Sequence, residues 1–317
     1  MGVYTLPRSQ LHLFLAVLSK RSPVYVPVKR DAIRFEPYNG TIDFSDNAYF
    51  PIKEHFFRKR ETILRFDGQK LITVRPTSSK KIFFGVRRCD LTALKHQDSI
   101  FQKQYKDPWY KAQRANTILI GYHCATPPNK YCFCDGMGLE EYQDLMFYEQ
   151  KTQFLVEVTS VKGAALIKKY RRFFKKANKR ITDADKHIKT RKLRKRDFNA
   201  IYDHHAWTAG VNKCLSCTAC TAMCPTCYCY ELHDELDTLK HGTRCRIWSS
   251  CQVKAFTRIA GNHVFREQRE HRFKHRIYHQ IQYFREQHGF DLCTGCGRCI
   301  AACPTRIDWV SIANKIT

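Results

Sequence analysis

An α/β domain followed by a smaller, largely helical module ligated by cysteines is the fold class that the sequence predicts, on three observations. Short apolar runs alternate with amphipathic stretches over residues 1–165. A cysteine motif of fixed spacing occurs twice within residues 201–317. The 317 residues are 43% hydrophobic and 13% aromatic, enough to pack cores for about two domains. No run approaches the roughly 18 apolar residues of a membrane span. The stretch Leu11–Leu18 is interrupted by His12 and followed by Lys20 and Arg21, with no small-residue cleavage site, so it reads as a packed helix and not a signal peptide.

The α/β elements follow in order. An amphipathic helix near 8–20 precedes strand-like runs at Val24–Val28, Leu71–Val74, Ile82–Val86, Thr117–Gly121 and Phe154–Val158. Helical stretches at 90–104 and 108–114 lie between them, and such alternation implies a partly parallel sheet. Residues 166–200 form a basic segment, expected as a helix and then an exposed linker. Residues 201–317 carry the cysteine module.

The motifs are Cys214-x2-Cys217-x2-Cys220-x3-Cys224-Pro225 and Cys293-x2-Cys296-x2-Cys299-x3-Cys303-Pro304. This is the ligand spacing of bacterial two-cluster ferredoxins, in which the fourth cysteine of each motif ligates the other cluster. Three thiolates on one tight loop wrap a cubane. The fourth opens the next turn and points away, and the proline ends the loop without losing a needed donor. The expected ligands are Cys214, Cys217, Cys220 and Cys303 for one [4Fe–4S] cluster, and Cys293, Cys296, Cys299 and Cys224 for the other. Zinc sites separate paired cysteines by a dozen residues or more, and a chain of this length with no secretory signal has little need of disulfides. The small residues Ser216, Ala219, Gly295, Gly297, Ala301 and Ala302 are expected to make room for the cubanes. Cys224 and Cys293 lie 69 positions apart and enclose an insert, read as helical, with a long basic aromatic helix from Arg266 to Gln287 that stops before Gly289.

Eight further cysteines remain, and small buried hydrophobes are the plain alternative for all of them. Cys89 and Cys124 each follow a buried strand-like run, which would place them together at one edge of a parallel sheet. Cys132 and Cys134 lie on the loop after Pro127-Pro128 and complete a set of four, a candidate third cluster. Cys227, Cys229, Cys245 and Cys251 are expected either as another ligand set or as packing and hydrogen-bonding neighbours of the first clusters.

The formal net charge is +26, of which each cluster with its thiolates removes only roughly two units. Fifteen Lys or Arg against two acids fall between Lys168 and Arg196. Such an excess suits docking of an acidic redox partner, nucleic acid, anionic headgroups at a membrane surface, or a merely solvated face. No phosphate-binding G-x-x-x-x-G-K-[ST] loop, dinucleotide G-x-G-x-x-G or groove-reading motif occurs, so nucleic acid is the weaker partner class. Cysteine-rich, metal-binding and without a recognisable secretory signal, the chain is expected in the cytoplasm.

Several runs resemble one family. Gly85-Val-Arg-Arg-Cys-Asp-Leu-Thr-Ala-Leu94 is similar to the G-V-R-P-C-D-L-x-A-L signature of the beta subunit of sulfhydrogenase-type soluble nickel–iron hydrogenases, which the corresponding iron–sulfur subunit of anaerobic sulfite reductase shares. Arg88 stands where proline is usual. Gly121-Tyr-His-Cys-Ala-Thr-Pro127, Cys132-Phe-Cys-Asp-Gly-Met-Gly138, Cys224-Pro-Thr-Cys-Tyr-Cys229 and Trp248-Ser-Ser-Cys251 resemble further stretches of the same family. The resemblance implies an electron-conducting subunit. Its neighbours would be one subunit that binds flavin and NAD(P), plus a catalytic partner of the hydrogenase or sulfite reductase type. Two other functions stay open: a sulfur-compound reductase acting at a cluster with an open iron, and a nucleic-acid-binding protein with structural clusters.

Overall fold

The computed structural model describes residues 2–76 and 78–316. Among them twelve strands build two sheets. They are β1 (Val3–Pro7), β2 (Val24–Lys29), β3 (Ile33–Pro37), β4 (Arg60–Asp67), β5 (Lys70–Thr73), β6 (Lys81–Val86), β7 (Thr117–Tyr122), β8 (Leu145–Glu149), β9 (Gln153–Val158), β10 (Lys175–Lys176), β11 (Tyr230–Leu236) and β12 (His241–Trp248).

The large sheet has the order β10-β1-β9-β8-β7-β6-β2-β3. Its four middle strands, β8, β7, β6 and β2, run parallel, and antiparallel strands finish both edges. All six residues of β6 are buried, as a strand covered on both faces requires. On one face lie α1 (Leu11–Ser19) and α4 (Val161–Lys169). Phe14 of α1 meets Phe173 and Phe174 edge-on at 5.5 and 5.2 Å between ring centres. On the other lie α2 (Arg88–Asp98) and α3 (Pro108–Arg114), packed with Phe56 and Phe57. Asp107 caps α3 by accepting from the Tyr110 amide at 2.8 Å, and Pro108 takes the first helical position, where no donor is needed. A bulge at Gly85 (φ +86°) shifts the register of β6 against β7 just before the chain enters α2.

The small sheet has the order β11-β12-β4-β5. It corrects two expectations. The run at Leu71 is a strand, but it belongs to this second sheet and not to the parallel one. The insert is not wholly helical, because it opens with the β11–β12 hairpin. Each half of the chain thus supplies one hairpin. Arg246 of β12 joins them internally, donating to Glu61 at 2.7 Å and to Asp107. The expected basic helix is present as Arg269–Tyr278, a wider turn over His279–Tyr283, and Phe284–His288, closed by Gly289 at φ +81°.

The α/β core also runs past residue 165, since Tyr170, Phe173 and Phe174 pack in it and β10 pairs with β1. The rest of the basic segment is a strap and not an exposed linker. Ile188, Leu193 and Phe198 are buried. Lys186 pairs with Glu157 at 3.1 Å and Arg191 with Asp308 at 2.8 Å.

One ion pair joins the two halves at depth. Arg298, inside the second cysteine motif, forks onto both carboxylate oxygens of Asp90 at 2.7 and 2.8 Å and donates to the Ala48 carbonyl at 2.7 Å. Asp90 is 1% exposed and Arg298 4%. Removing one partner of such a pair strands the other charge in a low dielectric. We expect Arg298→Leu to cost about 3–5 kcal/mol. Asp90→Leu with Arg298→Leu should recover part of that loss. Anaerobic urea denaturation of both variants checks the pair, and equal losses in the two would refute the assignment.

Candidate metal centre

The two expected ligand loops share one backbone. Ser216 and Thr218 in the first, and Gly295 and Gly297 at the equivalent places in the second, all have positive φ, between 52° and 75°. The Ser216 amide donates to Cys214 Sγ at 3.4 Å, and the Gly295 amide to Cys293 Sγ at 3.4 Å. After each loop a short helix begins, Ala219–Ala222 and Arg298–Ala301. The Cys-Pro-Thr that follows repeats as well: Thr226 Oγ1 is 3.2 Å from Cys224 Sγ, and Thr305 Oγ1 is 3.4 Å from Cys303 Sγ.

Cys214, Cys217, Cys220 and Cys303 line one cavity of about 70 Å³, whose far wall includes Cys293 and Cys299. The second set gathers around Cys224, which lies near enough to raise the thiol pKa of Cys293, Cys296 and Cys299. Burial dominates these shifts and pushes Cys220 and Cys296 up to about 12. Trp309 Nε1 donates to Cys299 Sγ at 3.5 Å.

The third set also comes together. Cys89 sits in the first turn of α2 and Cys124 just past β7, at the carboxyl ends of adjacent parallel strands. They line one cavity with Cys132, Cys134 and Cys296. Cys132 Sγ is 3.7 Å from the Cys296 carbonyl, and Asn47 Nδ2 donates to that carbonyl at 3.3 Å and lies 3.9 Å from Cys132 Sγ. Arg88 fills the first position of α2, a place proline accepts as readily. Its guanidinium reaches the Lys186 carbonyl at 3.2 Å and Glu141 at 3.5 Å.

The last four cysteines divide. Cys227 lies beside Cys224, and Cys229 beside Cys251, a contact that lowers the thiol pKa of Cys229 below its ordinary value. Cys245 does not join them. It is fully buried in the small sheet, beside Thr62 Oγ1 at 3.6 Å and Thr243 Oγ1 at 3.8 Å. β-Strand pairing holds it opposite His233, well along the hairpin from Cys229.

The glycines carry a correction. A Cβ on Gly295 would meet the Cys134 Cα at 2.6 Å, and one on Gly297 the Tyr131 carbonyl at 2.6 Å. The space they leave is filled by the 131–134 loop, not kept for a cubane. The Phe133 amide donates to the Gly295 carbonyl at 2.8 Å across this contact.

Among the described residues no three His, Cys, Asp or Glu side chains close on one point as a single metal ion needs. A cubane asks for something else, because each of its four thiolates binds a different iron. The electrostatics fit such a group. Arg87 donates to Cys124 Sγ at 3.5 Å and Arg276 to the Cys220 carbonyl at 3.1 Å, and among the described residues neither has a carboxylate partner. The Arg276 Nε is left with no acceptor at all. Thiolate-bound clusters would supply the missing negative charge. Arg276 and Asn47 leave no trace in the sequence, because their roles depend on contacts distant in the chain, whereas Arg87 stands inside the Gly85–Leu94 signature.

The family described as a 4Fe-4S dicluster domain matches residues 213–307. The beta subunit of sulfhydrogenase 2 from Pyrococcus furiosus is 30% identical over 321 residues, covering 96% of this chain and 95% of that one. No solved structure matches. No helix among the described residues is long and apolar enough to cross a membrane. From the glycine contacts, Gly297→Ala should cost about 1–3 kcal/mol, because backbone cannot yield as a side-chain tip does. Thr218→Gly, at the matching place in the first loop, should be far milder. Thermal unfolding of the two loaded variants makes the comparison, and equal losses would remove the 131–134 loop as the reason for the glycine.

Proposed function

The chain belongs to the sulfhydrogenase beta-subunit family, and from that premise we propose that it is the iron–sulfur relay of a multi-subunit oxidoreductase. It would pass single electrons between one subunit that binds flavin and NAD(P) and a catalytic partner of the hydrogenase or sulfite reductase type. The observation that carries this reading is the continuity of the three cysteine sets. Cys293 and Cys299 of the middle loop reach into the first cavity, while Cys296 of the same loop lines the third. In this reading Cys214, Cys217, Cys220 and Cys303 hold one cluster, Cys293, Cys296, Cys299 and Cys224 a second, and Cys89, Cys124, Cys132 and Cys134 a third.

Bound there, each cluster accepts and releases one electron. The chain's own residues set how readily. The Ser216 and Gly295 amides and the Trp309 indole point donors at ligand sulfur, which favours the more negative, reduced state. Arg276 and Arg87 act in the same direction through fixed charge in a poorly solvated interior. Apolar walls from the buried Phe273 and Ile277 and the half-buried Ile307 limit the water that reaches the first cavity, whose Cys217 is exposed. The parallel-sheet edge that carries Cys89 and Cys124 supports reading the third set as a further station or a terminal docking site. From there the basic outer face would steer an acidic partner.

The test is iron and acid-labile sulfide per chain, with EPR, on anaerobically purified protein. We expect about 12 Fe or more, falling by about four in Cys217→Ser and independently by about four in Cys132→Ser with Cys134→Ser. Electron flow through the assembled complex should stop in Cys217→Ser. Iron content and activity unchanged by that substitution would defeat the relay, and about 8 Fe in the wild type would leave the third set structural.

A further inference from the structure

We propose that the open face of the first ligand loop, centred on Leu215 and Cys217, is the docking site of a small, acidic, diffusible protein that exchanges single electrons with the first cluster. This rests on reading the chain as an electron relay, and it gives that relay an exit besides its resident subunits.

The two motifs supply the comparison. In the second, the chain covers its own ligand loop. Gly295 and Gly297 lie against the backbone of residues 131–134, Thr294 is 2% exposed and Cys296 8%. The first motif has the same loop backbone without that cover. Ser216 and Thr218 stand at the places of the two glycines, where side chains keep a covering backbone away. Leu215, at the position of Thr294, is 63% exposed. Among the described residues, which include all sixteen cysteines, Cys217 is the one exposed cysteine, and Leu215 is the one large hydrophobic side chain exposed in either motif. A leucine held out in water on a tight loop gains by being covered.

Charge and size identify the occupant. Lys213 directly precedes the loop, and Arg306 follows Pro304 and Thr305, which line the same cavity as Leu215 and Cys217. Both cations are exposed, and among the described residues neither has a carboxylate partner. The acid nearest Arg306 in the sequence, Asp308, is already held by Arg191 at 2.8 Å. An apolar centre with an unmatched cationic rim complements a surface rimmed by carboxylates. One exposed leucine is far less than the apolar core of a permanent interface, and it suits the small contacts of transient electron-transfer pairs. Electron transfer weakens steeply with distance, so a ligand thiolate at the surface is where a docked protein exchanges most readily. The step moves one electron between cluster and carrier, oxidising one and reducing the other, with no bond made or broken.

The experiment uses the full chain, purified anaerobically with its co-purifying subunits. Stopped-flow absorbance follows electron exchange with plant-type ferredoxin as the acidic probe, the partner of lower potential being supplied reduced. Methyl viologen serves as a reactant that needs no docking. The second-order rate constant with ferredoxin should fall steeply as salt rises. Lys213→Glu with Arg306→Glu should lower it about tenfold or more at low salt and flatten that dependence, with iron content and the viologen rate at high salt unchanged. Leu215→Ser should lower it about fivefold at every salt concentration. Lys168→Glu with Lys169→Glu, the same change of net charge at two exposed positions of α4, should stay within about twofold of the wild type. Unchanged ferredoxin rates in both loop variants, or equal slowing by the two charge pairs, would overturn the proposal. So would a Lys213 shielded from acetylation until the co-purifying subunits are removed, because a resident subunit would then occupy the face. Unchanged iron in Cys217→Ser would instead overturn the relay reading beneath it.

Discussion

The fork between Arg298 and Asp90 is the constraint on which the arrangement of the cysteines depends. Arg298 lies between two cysteines of the second motif, and Asp90 directly follows Cys89. Their buried bidentate bond therefore fixes the α/β edge against a ligand loop at a single register. Main-chain packing of Gly295 and Gly297 on residues 131–134 becomes possible only at that register. Asn47 then finds both Cys132 and the Cys296 carbonyl in reach. A hydrophobic contact of the same size would tolerate sliding. A planar fork on a carboxylate does not.

The strong positive charge divides into three parts with different physics. One part is internal and is matched by carboxylates, as at Arg246 and Arg298. A second is internal and faces sulfur: Arg87, Arg276 and Lys53 have thiols where an ordinary core would have acids. The third is the outer face, including much of the basic strap. The first two explain why a +26 chain need not be read as a nucleic-acid binder by default. Part of its surplus would be the counterpart of anionic metal clusters that a residue count leaves out.

What the sequence made legible follows from the range of each interaction. The ferredoxin-type loops are local, so spacing alone locates them, and the structure repeats their amide-to-sulfur bonds at both. The third cysteine set is legible because two buried runs end in cysteine, a one-dimensional trace of adjacent parallel strands. The β11–β12 hairpin is not. Tyr230-Glu-Leu-His-Asp-Glu-Leu236 is exposed along most of its length, and Asp234 breaks the alternation that Tyr230, Leu232 and Leu236 begin. Proximity in the chain groups Cys245 with Cys227, and strand pairing then separates them. Lys53 carries no local signal, since the Cys227 carbonyl to which it donates lies 174 positions away. The glycines of the second motif stand out in the sequence for the right property, small size, but the neighbour that demands it is protein.

The small sheet, half of it contributed from each end of the chain, governs how the molecule can come into being. When the ribosome has released β4 and β5, their partner β12 is still more than 160 positions from synthesis. Until it arrives, an unpaired strand edge and four N-terminal thiols stand open to oxygen and to other chains. Cys303, the last of the cysteines expected to serve the first set, emerges 89 positions after Cys214. Cluster insertion at the first motif would therefore wait until the second had been made, on a polypeptide whose thiols have been kept reduced, and the apoprotein would be the natural client of a dedicated assembly scaffold.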